Sequence, residues 1–86
     1  MTPKITFKLY ASLGDHLPSD KRHGNAMTLE ITPGATITGV IAPFALPEKL
    51  VHLVLVNGVF IPPERRASHV LNDGDVLAIW PPIAGG

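Results

Sequence analysis

The chain closes on Ile83-Ala84-Gly85-Gly86. None of these four residues has a polar or charged side chain, so the chemistry on offer is the α-carboxylate of Gly86. Such a carboxylate is ionised at neutral pH and inert as an acyl donor. It must be activated by another protein, most simply as a mixed anhydride with AMP. Glycine suits that role, because a backbone without Cβ enters a narrow channel and approaches a nucleotide closely. A glycine pair alone is weak grounds, since frayed ends often carry small residues. Its setting strengthens it: Leu71 to Gly86 reads LNDGDVLAIWPPIAGG, a turn, an apolar strand, two prolines and a bare tail. Proline cannot donate a ladder hydrogen bond and holds φ fixed, so the strand should end at Trp80, with Pro81 and Pro82 aiming the tail. Residues 81–86 are expected to form a flexible tail reaching roughly 20 Å from a folded domain of residues 1–80.

Other chemistry is poorly represented. The chain has no cysteine, which removes thiol catalysis, disulfides and thiolate metal sites. No GxxxxGK[ST] loop is present to hold nucleotide phosphates. His16, His23, His52 and His69 are not spaced like metal ligands on one element, and no bound cofactor or metal is expected. Asp73 and Asp75 read as turn formers. Ser12, Ser19 and Ser68 have no base nearby in a recognisable arrangement, and Arg65 and Arg66 read as part of a solvated loop. No catalytic set emerges, so an enzyme is not expected.

Seven basic and seven acidic side chains balance, leaving no broad electrostatic reason to bind nucleic acid or an anionic membrane. The start, Met1-Thr2-Pro3-Lys4, lacks the apolar run of a signal peptide, and no segment is long enough to span a bilayer. The expected setting is the cytoplasm.

The elements that must position the tail follow from periodicity. Ile5, Phe7 and Leu9 alternate with Thr6, Lys8 and Tyr10, as in a half-buried strand. Leu13 and Leu17 can dock a loose helical turn within the polar stretch from Ala11 to Asn25. Met27, Leu29 and Ile31 make a second strand ending at Thr32-Pro33-Gly34. Thr36 can cap a helix whose Ile37, Val40, Ile41 and Phe44 form one apolar stripe, although Gly39 weakens it and Pro43 should end or kink it near Ala42. Pro47 reads as the first residue of a further short turn. Asn57-Gly58 between Val54-Leu55-Val56 and Val59-Phe60-Ile61 reads as a hairpin, and Asp73-Gly74 precedes the last strand. Strand, strand, helix, strand, short strand, strand implies an α+β fold: one mixed sheet with the helix across one face, the ubiquitin-like β-grasp, its last strand beside its first.

Parity then divides the sheet into two faces. With Ile5, Phe7, Leu9, Leu77 and Ile79 inward, Tyr10, Val76, Ala78 and Trp80 point away from the helix. Val54, Val56, Val59 and Ile61 are expected in the core, leaving Leu53, Leu55 and Phe60 on the open face. A single helix cannot cover both faces, and three aromatics are too large a group for routine exposure. Tyr10, Leu55, Phe60 and Trp80, continued by Pro81, Pro82, Ile83 and Ala84, are therefore expected to bind partners. The alternative is that the loop from Asp15 to Gly24 folds over them.

Leu71-Asn72-Asp73-Gly74-Asp75-Val76-Leu77, then Pro81-Pro82-Ile83-Ala84-Gly85-Gly86, with Leu55-Val56-Asn57-Gly58 and Leu9-Tyr10-Ala11-Ser12-Leu13 upstream, resembles the MoaD/ThiS family of ubiquitin-like sulfur carriers. The resemblance implies that an E1-like enzyme uses ATP to adenylate Gly86, which then becomes a thiocarboxylate. A partner synthase, its large subunit, receives the sulfur. Pro81-Pro82 resembles the molybdopterin synthase small subunit more than the thiamine-pathway carrier. The polar loop from Asp15 to Gly24, Gly39 and Pro43 depart from the family pattern. Three alternatives stand beside molybdopterin biosynthesis: sulfur delivery for thiamine, tRNA thiolation or another metabolite; a ubiquitin-like modifier joined through Gly86 to lysines; and an interaction module with an idle tail.

Overall fold

A computed structural model describes residues 2–20 and 22–82. Met1, Lys21 and the tail residues Ile83, Ala84, Gly85 and Gly86 lie outside the described residues, and with them the expectations for the tail.

Five strands form one sheet in the order β2-β1-β5-β3-β4. Strand β1 (Lys4–Leu9) pairs antiparallel with β2 (Ala26–Glu30) and parallel with β5 (Val76–Trp80). Strand β3 (Leu53–Val56) pairs antiparallel with β5 and with the short β4 (Val59–Phe60). The helix α1 (Ile37–Ile41) continues as a 3-10 turn, Ala42–Phe44. This is a ubiquitin-like β-grasp with the last strand beside the first.

Each element has a local cause. The Thr36 side chain accepts from the Gly39 N–H at 3.2 Å and caps α1. The α-helical turns stop at Ala42, next to Pro43, whose ring cannot donate to the carbonyl four residues back. Asn57 and Gly58 both take positive φ, 52° and 82°, as a two-residue hairpin turn requires. Ile5, Phe7, Leu9, Leu13, Ile37, Val54, Leu77 and Ile79 are fully buried, and Phe44 lays its ring 4.8 Å from that of Phe7. Leu13 and Leu17 bring the segment after β1 into this core, through a 3-10 turn over Ala11–His16.

Three expectations need correction. Val59 shares the parity of Val56 but is 63% exposed. It sits on a two-residue edge strand at the hairpin tip, outside the buried cluster that Val54, Val56 and Ile61 join. Pro47 is the residue before a 3-10 turn, Glu48–Leu50, rather than its first member. Arg66, expected in a solvated loop, is buried. Its Nε donates to Ile61 O (3.0 Å), Nη1 to Val51 O (3.3 Å) and Nη2 to His52 O (3.1 Å). Burial lowers its pKa from the ordinary value, and the charge of Glu64 opposes that. The guanidinium stays charged, because its ordinary value lies so far above neutrality.

Candidate functional site

The open face of the sheet is laid out by register. Leu9 of β1 stands beside Ile79 of β5, so the next residues along, Tyr10 and Trp80, are neighbours. Trp80 in turn pairs with Leu53. One row across the sheet is thus Tyr10, Trp80 and Leu53. The next row is Lys8, Ala78, Leu55 and Phe60. Alternation placed all these side chains on one side, and the structure brings them together.

They are not equally open. The rings of Tyr10 and Trp80 stack, centroids 4.0 Å apart and planes 8° from parallel. Each covers a face of the other, so both are half-buried, as are Leu53 and Leu55. Phe60 is 48% exposed. Ala78 points to the same side yet is buried, because its single methyl lies low between larger neighbours. The row therefore has a shallow floor at Ala78, flanked by Lys8 and Leu55. Lys8 is not an aromatic anchor, but its parity with Tyr10 and its pairing with Ala78 put it on this face.

Strand β5 is held on both flanks up to its last residue. The Tyr10 N–H donates to Ile79 O (3.0 Å) and the His52 N–H to Trp80 O (3.2 Å). At the other end of β5, Asn57 Nδ2 donates to Asp75 Oδ1 and the Val76 N–H to Asn57 Oδ1, each at 2.9 Å. Asp75 Oδ2 also accepts from the Asn72 N–H (2.9 Å), and Asp73 Oδ1 from the Lys4 N–H (2.8 Å). Both carboxylates thus work in turns. Pro81 is half-buried and Pro82 exposed, so the chain leaves the sheet from a fixed point beside the stacked pair. Ile83, Ala84, Gly85 and Gly86 lie outside the described residues.

Among the described residues, no three His, Cys, Asp or Glu side chains gather as metal ligands. No helix among them is long and apolar enough to cross a membrane. What the described residues present is a half-buried apolar face with the chain exit at its margin.

A family model described as "ThiS family" matches residues 19–86. None of the curated proteins matches the chain. Among solved structures, the chain is similar to the crystal structure of SAMP1 from Haloferax volcanii, at 19% identity and TM-score 0.63, with 96% of this chain and 99% of that one covered. It is similar to the solution structure of the Haloferax volcanii HVO 2177 protein, at 20% identity and TM-score 0.70, covering 99% of this chain and 88% of that one. The solution structure of the small archaeal modifier protein 1 (SAMP1) from Methanosarcina acetivorans gives 18% identity and TM-score 0.68, covering 100% of this chain and 99% of that one. At such identities these likenesses carry the fold alone.

Proposed function

Because the chain belongs to the ThiS family of ubiquitin-like sulfur carriers and modifiers, we propose that it is a sulfur carrier for molybdopterin biosynthesis in the cytoplasm. The carboxylate of Gly86 attacks the α-phosphorus of ATP on an E1-like enzyme, forming the acyl adenylate and releasing pyrophosphate. Hydrosulfide then attacks the acyl carbon, displacing AMP and leaving a thiocarboxylate. The large subunit of a synthase takes the sulfur. ATP is bound by the activating partner, and this chain is the co-substrate, so acids and bases come from the partners. Gly85 gives the clearance for threading.

One observation carries this reading. Strand β5 is anchored on both sides through Trp80, so a tail leaving at Pro81 starts beside a half-covered aromatic face. A docked enzyme that grips Tyr10, Leu55, Phe60 and Trp80 receives Pro81, Pro82, Ile83 and Ala84 in a set direction. That saves the entropy of searching for the carboxylate. The proline pair favours molybdopterin over thiamine.

A second reading has its own support. Two of the similar structures are named as small archaeal modifier protein 1 or SAMP1, and an acyl adenylate at Gly86 could equally be passed to a lysine. Mass spectrometry of the protein from its host separates the two and tests whether Gly86 is the last residue. Exchange of one terminal oxygen for sulfur supports the carrier. A lysine-linked adduct supports the modifier. Neither product in cells making molybdopterin would overturn both.

A further inference from the structure

Pro62-Pro63-Glu64-Arg65-Arg66 has the composition of a solvated loop, yet it carries one charge into the interior. The 3-10 turn Pro63–Arg65 ends at Arg66. The Arg66 N–H donates to Pro63 O (3.3 Å), and its C=O accepts from the Thr38 N–H near the start of α1 (3.1 Å). With the backbone fixed against the helix, the side chain runs inward, and the residue is only 8% exposed. Its bonds go to three carbonyls, Ile61 O, Val51 O and His52 O, rather than to a carboxylate. Burying a cation among neutral acceptors carries a desolvation cost, so where those acceptors sit matters.

Nη1 and Nη2 reach two adjacent residues, Val51 and His52, which belong to neither helix nor strand. The turn before them, Glu48–Leu50, closes on itself: the Leu50 N–H donates to Pro47 O and the Val51 N–H to Glu48 O. His52 is exposed, so burial does not hold it. Yet the His52 N–H makes the bond to Trp80 O (3.2 Å), and among the described residues no backbone bond lies beyond it. Pro81 and Pro82 have no N–H and a fixed φ, so they continue in whatever direction Trp80 gives them. The last tie on the departing chain therefore hangs from a segment that the guanidinium pins.

We infer that Arg66 is a positioning residue for the chain exit: by fixing Val51 and His52 it fixes the carbonyl of Trp80, and so the heading of Pro81. The inference rests on the carrier reading, in which the activating enzyme must receive the carboxylate of Gly86. Arg66 is buried and acts through His52 and Trp80, not by touching the enzyme or ATP. The guanidinium makes no bond to Tyr10, Leu55, Phe60 or Trp80. Its loss leaves the face that docks and removes the direction of what leaves it. A misdirected tail lowers the rate after docking rather than docking itself, because small errors in placing a reacting group slow the reaction steeply.

ATP–pyrophosphate exchange on the E1-like enzyme of the host, measured against carrier concentration, separates this role from a stabilising one. Losing a residue that only stabilised the fold would reduce the folded fraction, raising apparent KM and leaving kcat at saturation unchanged. Arg66→Met, assayed where circular dichroism shows it folded, should instead lose kcat about tenfold, with KM within about twofold of wild type. Arg66→Lys keeps the charge without the planar fork and should fall between. Val40→Ala, a core truncation on the helix, should keep kcat. Amide hydrogen exchange gives an arm independent of activity. The His52 amide should exchange about tenfold faster in Arg66→Met and Arg66→Lys but not in Val40→Ala, since it opens locally. Wild-type kcat in folded Arg66→Met, an equal loss of kcat in Val40→Ala, or unchanged exchange at His52 would overturn the inference. Failure of the wild-type protein to support pyrophosphate exchange would sink the carrier reading instead, and the His52 amide would still decide whether Arg66 holds the exit.

Discussion

Tyr10 and Trp80 stack face to face, 4.0 Å between centroids, because the parallel register of β1 and β5 makes them neighbours at the strand ends. Each ring covers a face of the other, so the aromatic surface at the chain exit is held by the domain's own packing. Leu53 flanks Trp80 on its other side.

Removing Trp80 should therefore damage docking more than folding. Trp80→Ala is expected to cost roughly 2 kcal/mol or more in affinity for the activating enzyme or synthase, as a central aromatic anchor does. A Tyr10→Ala and Trp80→Ala cycle on the free protein should give about 0.5–1.5 kcal/mol of coupling in unfolding free energy. Wild-type partner affinity in a folded Trp80→Ala protein, measured by titration calorimetry, would refute the anchor.

For the tail, deleting Gly86 or replacing Gly85 by tryptophan should abolish ATP–pyrophosphate exchange with the cognate activating enzyme. The first change misplaces the carboxylate and the second blocks the channel. Thermal unfolding should be nearly unchanged. Exchange at wild-type rates in either variant contradicts the role given to Gly86.

Arg66 ties three carbonyls, those of Ile61, Val51 and His52, and the His52 N–H in turn holds Trp80 O. Truncation leaves those acceptors without their charged donor. Arg66→Met should destabilise by about 2–4 kcal/mol, read from urea unfolding. Arg66→Lys should recover only part of it, because an ammonium cannot reproduce the planar fork. Loss below 1 kcal/mol for Arg66→Met, less than about one charged hydrogen bond contributes, would show the network to be incidental.

At the hairpin, Asn57 holds φ 52° and bonds to both Asp75 and Val76. Asn57→Ala loses both bonds and strains the turn, for an expected cost of about 1–2 kcal/mol. Val59→Thr, two residues on, should stay within about 0.5 kcal/mol, since its side chain is already in solvent. Equal effects at the two positions, by thermal or urea unfolding, would mean that the turn bonds contribute little.

Much of this protein is decided by rules that act over a few residues. Period-two alternation placed Ile5, Phe7, Leu9, Leu77 and Ile79 inside, and the same parity put Tyr10 and Trp80 on one face. Asn57-Gly58 set a two-residue turn, and with it the pairing of Leu55 with Phe60. Pro43 ended the α-helix next to where its ring forbids continuation. The motif from Leu71 to Gly86 carries the likeness to the family whose model matches residues 19–86.

Only the tertiary structure decided the rest. Parity gives a side but not a depth: Val59 has the inward parity of Val56 and lies in solvent, whereas outward Ala78 is buried among larger neighbours. Two of the carbonyls that bury Arg66 lie 14 and 15 residues away along the chain, so no local pattern marks it. The stack of Tyr10 on Trp80 follows from strand order. Strand order is a property of the assembled sheet, where each strand's free bonds are settled by which neighbour arrives beside it.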